Sequence, residues 1–176
     1  MEIIIAVAAV VLFVLWTISC HRKLAVMDED VNSAMARIGV QLSSRFDVLA
    51  TLLDLTGEYA VHESQTLIAT INSHRSIITA ASTPEDVQKQ EGVIFEALVR
   101  ISTLAELYPA LKADENYAKC VNAMDSYEKM MRTSRLIYND SVTKLNRELR
   151  MFPTLLLAGL FGFRQRDYLE ALENQG

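Results

Sequence analysis

RFDVLATLLDLTGEYAVHES, Arg45 to Ser64, is the stretch on which the fold turns. On a wheel of about 100° per residue, Leu49, Leu53, Thr56 and Ala60 share one face. The same face runs back through Val31, Met35, Ile38 and Leu42 and forward through Leu67, Ile71 and Ile78. Gly57 stands in the middle of it, and a glycine inside a helix costs about 1 kcal/mol relative to alanine. If the chain breaks near Gly57, the segment lengths fit an up-down-up-down four-helix bundle. If it does not, a later long segment overshoots this one, and residues 24–57 need a second copy of the chain to cover them. The break is the expected arrangement.

The charges in the stretch raise the question of an active site. Asp47 and Glu58 point away from the apolar face, and Glu58 and His62 are neighbours at i,i+4 on the outer side. Arg45 and Glu63 flank the apolar face but lie about 27 Å apart along a straight helix, so neither can serve the other. Further on, Glu128, Arg135, Asn139 and Asn146 fall within about 40° of one another beside an apolar seam. Arg45, Glu63, Glu128, Arg135, Asn139 and Asn146 are therefore expected to act as polar clasps between helices, fixing register through charge-assisted hydrogen bonds. A bundle metal site wants Glu-x-x-His on facing helices. Here Tyr59 stands three residues before His62, and His74 has no carboxylate at i±3 or i±4. No His-Glu-x-x-His motif, Gly-rich phosphate loop or Cys-x-x-Cys occurs. The expectation is no metal, no cofactor and no catalytic residue. Variants His62→Ala and Glu63→Ala that fold yet lose all cellular function would speak for an enzyme instead.

Composition points the same way on class. Apolar residues make up 51% of the 176, while Gly (6) and Pro (3) are too few to punctuate many strands. An all-α chain is expected. The formal net charge of −5, with no basic block, argues against a nucleic-acid partner. Cys20 and Cys120 have no metal-ligand spacing and call for no disulfide.

The amino-terminal run IIIAVAAVVLFVLWTIS, Ile3 to Ser19, carries no charge. As a helix it spans about 26 Å, at the short end of what a hydrocarbon core of ~30 Å requires. Trp16 falls where an interfacial anchor would, and Arg22 and Lys23 follow. A cleaved signal peptide wants positive charge ahead of the apolar run, and only Glu2 stands there. TISC resembles a lipoprotein processing site, but Thr17 occupies the position where leucine is usual. A permanent transmembrane helix is the expectation, with the amino terminus outside and the main domain in the cytoplasm.

The remaining boundaries are marked by proline. Thr83 suits an N-cap, Pro84 the first helical position, and Glu85 and Asp86 the helix dipole. Val87, Glu91, Ile94, Leu98, Ile101 and Ala105 then recur at 3–4 spacing until Pro109. The longest segment starts at Ala113 or Asp114, runs to Met151 and carries Cys120, Met124, Tyr127, Met131, Tyr138, Val142, Leu145 and Leu149 as its seam. Past Pro153, Leu155 to Phe163 is apolar but too short to cross a bilayer. Leu155, Leu156, Leu160, Phe161 and Phe163 are expected to pack on the bundle, join subunits or lie on the membrane surface. The expected domains are a transmembrane anchor at 1–23, a long-helix up-and-down bundle of three or four helices at 24–152, and a short apolar helix and tail at 153–176.

Taken together, VQLSSRFDVLATLL, EYAVHESQTL, LAELYPALKADENY, SYEKMMRTSRLIYND, LNRELRMFP, FGF and YLE, in this order behind a membrane helix, resemble the bacterial LemA family from about Ala34 to Glu170. The resemblance implies an up-and-down helical bundle held at the inner membrane and facing the cytoplasm. It also implies no established enzymatic activity, with one branch of the family taking part in building magnetosome membranes and some members found beside membrane zinc proteases. The chain departs from the pattern at Met35, where the family usually has Trp, at Gly39, usually polar, and at Ala50, usually Pro. HRKLAVMDE also replaces the usual Tyr-Asn after the membrane helix. The expected function is a non-enzymatic, self-assembling scaffold whose partners are the bilayer and other copies of the chain. The alternative is an adaptor presenting clients to a membrane protease or another membrane protein, docking through Asp47, Glu58 and His62.

Overall fold

The computed structural model describes residues 1–170; the end of the tail expected at 153–176 lies outside the described residues. Helix α1 is Glu2–Gly57, a single rod that carries the amino-terminal apolar run into the folded part without a joint. No proline precedes Pro84 to stop it. The boundary expected at residues 23 and 24 therefore falls inside one helix, and α1 passes through Ala50 uninterrupted.

The break after Gly57 forms. The last turn closes through Tyr59 N–H to Thr56 O at 3.0 Å and Ala60 N–H to Thr56 O at 2.9 Å, and α2 then runs Val61–His74. The Ser64 hydroxyl donates to Leu53 O at 2.8 Å, tying the first turn of α2 to the last turns of α1. A Cβ on Gly57 would meet the Ser64 Oγ at 3.3 Å, so the glycine both weakens the helix and makes room for the stitch. With the break made, residues 24–57 are covered from within the chain, and the arrangement in which they need a second copy is not adopted.

Helix α3 is Pro84–Leu107, opened by a reciprocal capping box between Thr83 and Asp86. The short α4 is Pro109–Ala113. Helix α5 is Glu115–Arg150, with the Asp114 carboxylate accepting from the N–H groups of Asn116 and Tyr117. The short α6 is Thr154–Ala158. The folded part of α1 is the axis, packed by α5 along its length and by α2 and α3 on other sides. Lys23 meets Glu148 and Arg45 meets Glu128, so α5 runs antiparallel to α1 and returns to the end from which the apolar run emerges. The order is up-down-up-down.

Val31, Met35, Ile38, Leu42, Leu49, Leu53, Thr56, Ala60, Leu67, Ile71 and Ile78, the face read from the sequence, are all buried. Each large apolar side chain among them contributes about 1.5–3 kcal/mol on burial. Ile78 departs from the helical reading: α2 ends at His74, and Ile78 plugs the core from the connecting segment. Gly39 shows how closely that segment approaches, because a Cβ there would collide with the Ile78 carbonyl oxygen. The glycine that departs from the family pattern is thus the residue that admits this loop.

Candidate functional site

The buried charges gather midway along the bundle. Arg45 is 6% exposed and Glu91 3%, and each sits on a helix face otherwise filled with apolar side chains. Arg135 reaches across from α5 to the Glu91 carboxylate at 2.5 Å, while Arg45 stands 3.8 Å from Glu91 and 2.9 Å from Glu128. Two guanidinium groups and two carboxylates from α1, α3 and α5 therefore close a cluster of balanced charge. Burial pushes the Glu91 carboxyl above its ordinary value, against the opposing pull of Arg135 and Arg45. Glu91 Oε2, Arg45 Nε and Arg135 Nε are buried without a hydrogen-bond partner among the described residues. A half-satisfied buried cluster is a costly way to hold helices together and a selective way to fix their register.

The other expected clasps divide. Asn139 and Asn146 do not bridge helices; they hold the chain after α6. The Asn146 amide donates to Arg166 O at 2.8 Å and accepts from Arg166 N–H at 2.9 Å. The Asn139 amide does the same with Leu169 at 2.9 Å in each direction. Seven residues of helix advance about 10.5 Å and three residues of extended chain about 10 Å, so two asparagines seven apart match peptide groups three apart. Tyr138 donates its hydroxyl to Asp167 O at 3.0 Å, and Leu169 is fully buried between these contacts. Glu63 joins neither set. It lies exposed in the first turn of α2 and makes no ion pair among the described residues, because the break at Gly57 turns it away from α5.

Two buried residues were not foreseen as polar anchors. Glu91 occupies an apolar position of the α3 repeat, which was a signal that it would be buried. Gln90 accepts from Ser76 N–H at 2.9 Å and donates to His74 O at 3.0 Å, fastening the segment after α2. Neither partner has a periodicity that could have announced it.

The outer charges do not converge. Asp47 pairs with Arg75 at 3.2 Å, and Glu58 and His62 are exposed. A cleft between α2 and α3 carries His74, Glu96 and Arg100, but Glu96 and Arg100 pair with each other at 2.6 Å and His74 Nδ1 lies 2.8 Å from Thr70 O. No group of three or more His, Cys, Asp or Glu able to hold a metal occurs among the described residues.

The end of the bundle nearest the apolar run is the most elaborated surface. Residues Ile3 to Leu15 of α1 are exposed, and α1 is long and apolar enough over this part to cross a membrane. Cys20 is the first buried residue of the helix. Next to it the His21 ring meets Phe161 edge-on at 4.9 Å and Phe163 at 5.7 Å. Lys23 pairs with Glu148 at 2.7 Å, and Arg166 reaches Asp28 at 2.9 Å and Asn32 at 3.2 Å. The Lys23 ammonium holds the Glu148 carboxyl below its ordinary value, with the Thr154 hydroxyl assisting. Of the five apolar residues expected to make contacts here, Phe161 and Phe163 are half-buried against α1, and Leu155, Leu156 and Leu160 face out.

These features define an all-helical, membrane-associated class of protein, in which one helix serves first as candidate membrane span and then as the axis of the folded domain. The chain belongs to the LemA family, whose model matches residues 34–176. It is similar to the magnetosome proteins MamQ 1 and MamQ 2 of Paramagnetospirillum magneticum, at 22% identity over 95% of this chain and 71% of each relative. The magnetosome protein MamQ of Magnetospirillum gryphiswaldense is 21% identical over 93% of this chain and 70% of its own length.

Proposed function

We propose that the protein is a non-enzymatic scaffold, anchored in the bacterial inner membrane by Ile3–Ser19, that self-assembles and helps to organise the membrane. The observation that carries this reading is the continuity of α1. A bare apolar run passes without a linker into the helix on which every other long helix packs, so the span and the bundle move as one body. Copies with parallel spans then present the same bundle faces side by side. Those faces carry apolar residues that stay exposed in a single chain: Phe95 and Val99 on α3, and Leu136 and Ile137 on α5. Arg22 and Lys23 at the exit of the span favour a cytoplasmic bundle and an external amino terminus. Likeness to proteins named for the magnetosome supports a task at a membrane. Mass measurement of the detergent-extracted chain tests the reading. Oligomers at micromolar concentration, seen as ordered particles or sheets by electron microscopy, are expected, and a strict monomer sinks it.

A second reading, an adaptor presenting clients to a membrane protease or another membrane protein, draws on the opposite end. There Glu58 and His62 are exposed and make no ion pair among the described residues. Crosslinking from Glu58 in cells separates the two: capture of further copies favours the scaffold, and capture of one distinct protein favours the adaptor.

A further inference from the structure

The exposed side of the α6 region is dense in large apolar side chains. Thr154, Leu157 and Ala158 turn inward, whereas Phe152 is 79% exposed, Leu155 56%, Leu156 64% and Leu160 80%. These four large apolar side chains, with Met151 beside them, form a contiguous run of chain at one end of the molecule. Their height relative to the span is fixed by three contacts. α6 packs on α1, Phe161 and Phe163 flank His21, and Glu148, to which Thr154 donates at 3.1 Å, is paired with Lys23. His21 follows Trp16 by five residues, about 7.5 Å of helix, so the patch stands at the level where α1 leaves the apolar run.

Charge at the same level is complementary to a bilayer surface. Lys23 is level with the last turn of α5, which carries Arg147 and Arg150, both exposed; Arg22 and Arg164 are exposed nearby in the chain. Of the acidic side chains at this end, Glu148 is paired with Lys23 and Asp28 with Arg166, while Glu29, Asp30 and Asp167 are exposed, the first two about 9–10 Å of helix farther from the span than Lys23. An apolar face rimmed by exposed cations, next to a helix entering lipid, has the make-up of a segment that lies in the headgroup region.

We propose that Phe152, Leu155, Leu156 and Leu160 insert into the interface of the leaflet from which α1 emerges, giving the bundle a second membrane contact whose occupant is anionic lipid. The inference rests on α1 being the membrane span. The two contacts act differently: the span fixes the protein in the bilayer, and the α6 face fixes which side of the bundle meets it.

Emission quenching by lipids brominated in the acyl chain tests this on the full chain, reconstituted in vesicles of phosphatidylcholine and phosphatidylglycerol. Trp16, the sole tryptophan, reports on the span in the unaltered protein. A Trp16→Phe chain with Leu156→Trp, and separately one with Leu160→Trp, reports on the patch. Both positions are exposed, so the substitutions disturb little of the core. Expected is a blue-shifted emission that loses most of its intensity with brominated lipid at both introduced tryptophans. Quenched Trp16 with unquenched, red emission from both variants overturns the second contact and leaves the anchor standing. Blue-shifted but unquenched emission from the variants overturns it in favour of burial against another copy. Unquenched Trp16 overturns the span and the inference with it.

Discussion

Three amides, two of them buried and Asn139 half-buried, solve the same problem in this protein. Gln90, Asn139 and Asn146 each offer one donor and one acceptor to backbone groups that lack a helix or strand partner. Asn146→Ala is expected to cost about 1–3 kcal/mol, because the Arg166 N–H and C=O both lose their partner. Thermal unfolding of the detergent-solubilised chain measures it. The charge cluster calls for a different test, since removing one member and removing the set have opposite meanings. Glu91→Ala leaves the Arg135 guanidinium without its carboxylate and Arg45 with Glu128 alone, and is expected to cost about 3 kcal/mol, whereas Arg45→Leu, Glu91→Met and Arg135→Met together cost far less, within about 1 kcal/mol. Denaturant midpoints of the two variants decide whether the cluster serves stability or register. A triple variant as unstable as the single one would show that the cluster is needed for folding itself. Gly39→Ala isolates the loop approach. The added methyl group would collide with the Ile78 carbonyl oxygen, which is backbone and cannot rotate aside, so a loss of about 1–3 kcal/mol is expected in the same melt.

The helices were legible where periodicity and punctuation agreed. Thr83 and Pro84 opened α3, Asp114 capped α5, and Gly57 ended the folded part of α1, each for a reason that is local to a few residues. Ile78 was read onto a helix because its phase was right; wheel phase records only that a residue is buried, and a loop can bury one as well. The partners of Asn139 and Asn146 were out of reach because Arg166 and Leu169 belong to an extended segment whose only signature is its spacing. Glu91 was readable as buried but not as paired, since the choice between Arg45, Arg135 and solvent is set by how α3 and α5 sit about α1. The clasp between α5 and the exit of the span gives this scale its own prediction. Glu148 has a depressed folded-state pKa, so its contribution is present above the unfolded value of about 4.3 and is lost as pH falls through the folded value. Glu148→Gln is therefore expected to cost at most about 1 kcal/mol at pH near 7, limited by the exposure of Lys23, and nothing once both states are protonated. Unfolding of the two chains as a function of pH shows whether the gap closes in acid.

For the molecule as a whole, the absence of a joint in α1 sets a dimension. From Cys20, where burial begins, to Gly57 the helix advances about 55 Å, and α5 returns alongside it over a similar length of about 54 Å. A span tilted by about 20°, the average for transmembrane helices, shortens this projection only slightly. The bundle is therefore expected to stand upright, forming a protein layer roughly 50–55 Å deep on one side of the bilayer. A chain with a flexible linker after the span would instead let the bundle lie on the surface, giving a layer nearer the ~25 Å thickness of a few packed helices. Neutron reflectometry on the full chain in a supported bilayer distinguishes the two directly. Inserting a short Gly-Ser run between Ser19 and Cys20, where burial begins, should thin the layer by freeing the rod from its anchor while leaving the span in place. An upright layer also aligns Phe95, Val99, Leu136 and Ile137 parallel to the bilayer normal, so neighbouring copies meet along their lengths. If the unaltered chain gave the thin layer, α1 would have to bend at the membrane, and assembly through these faces would lose its geometric basis.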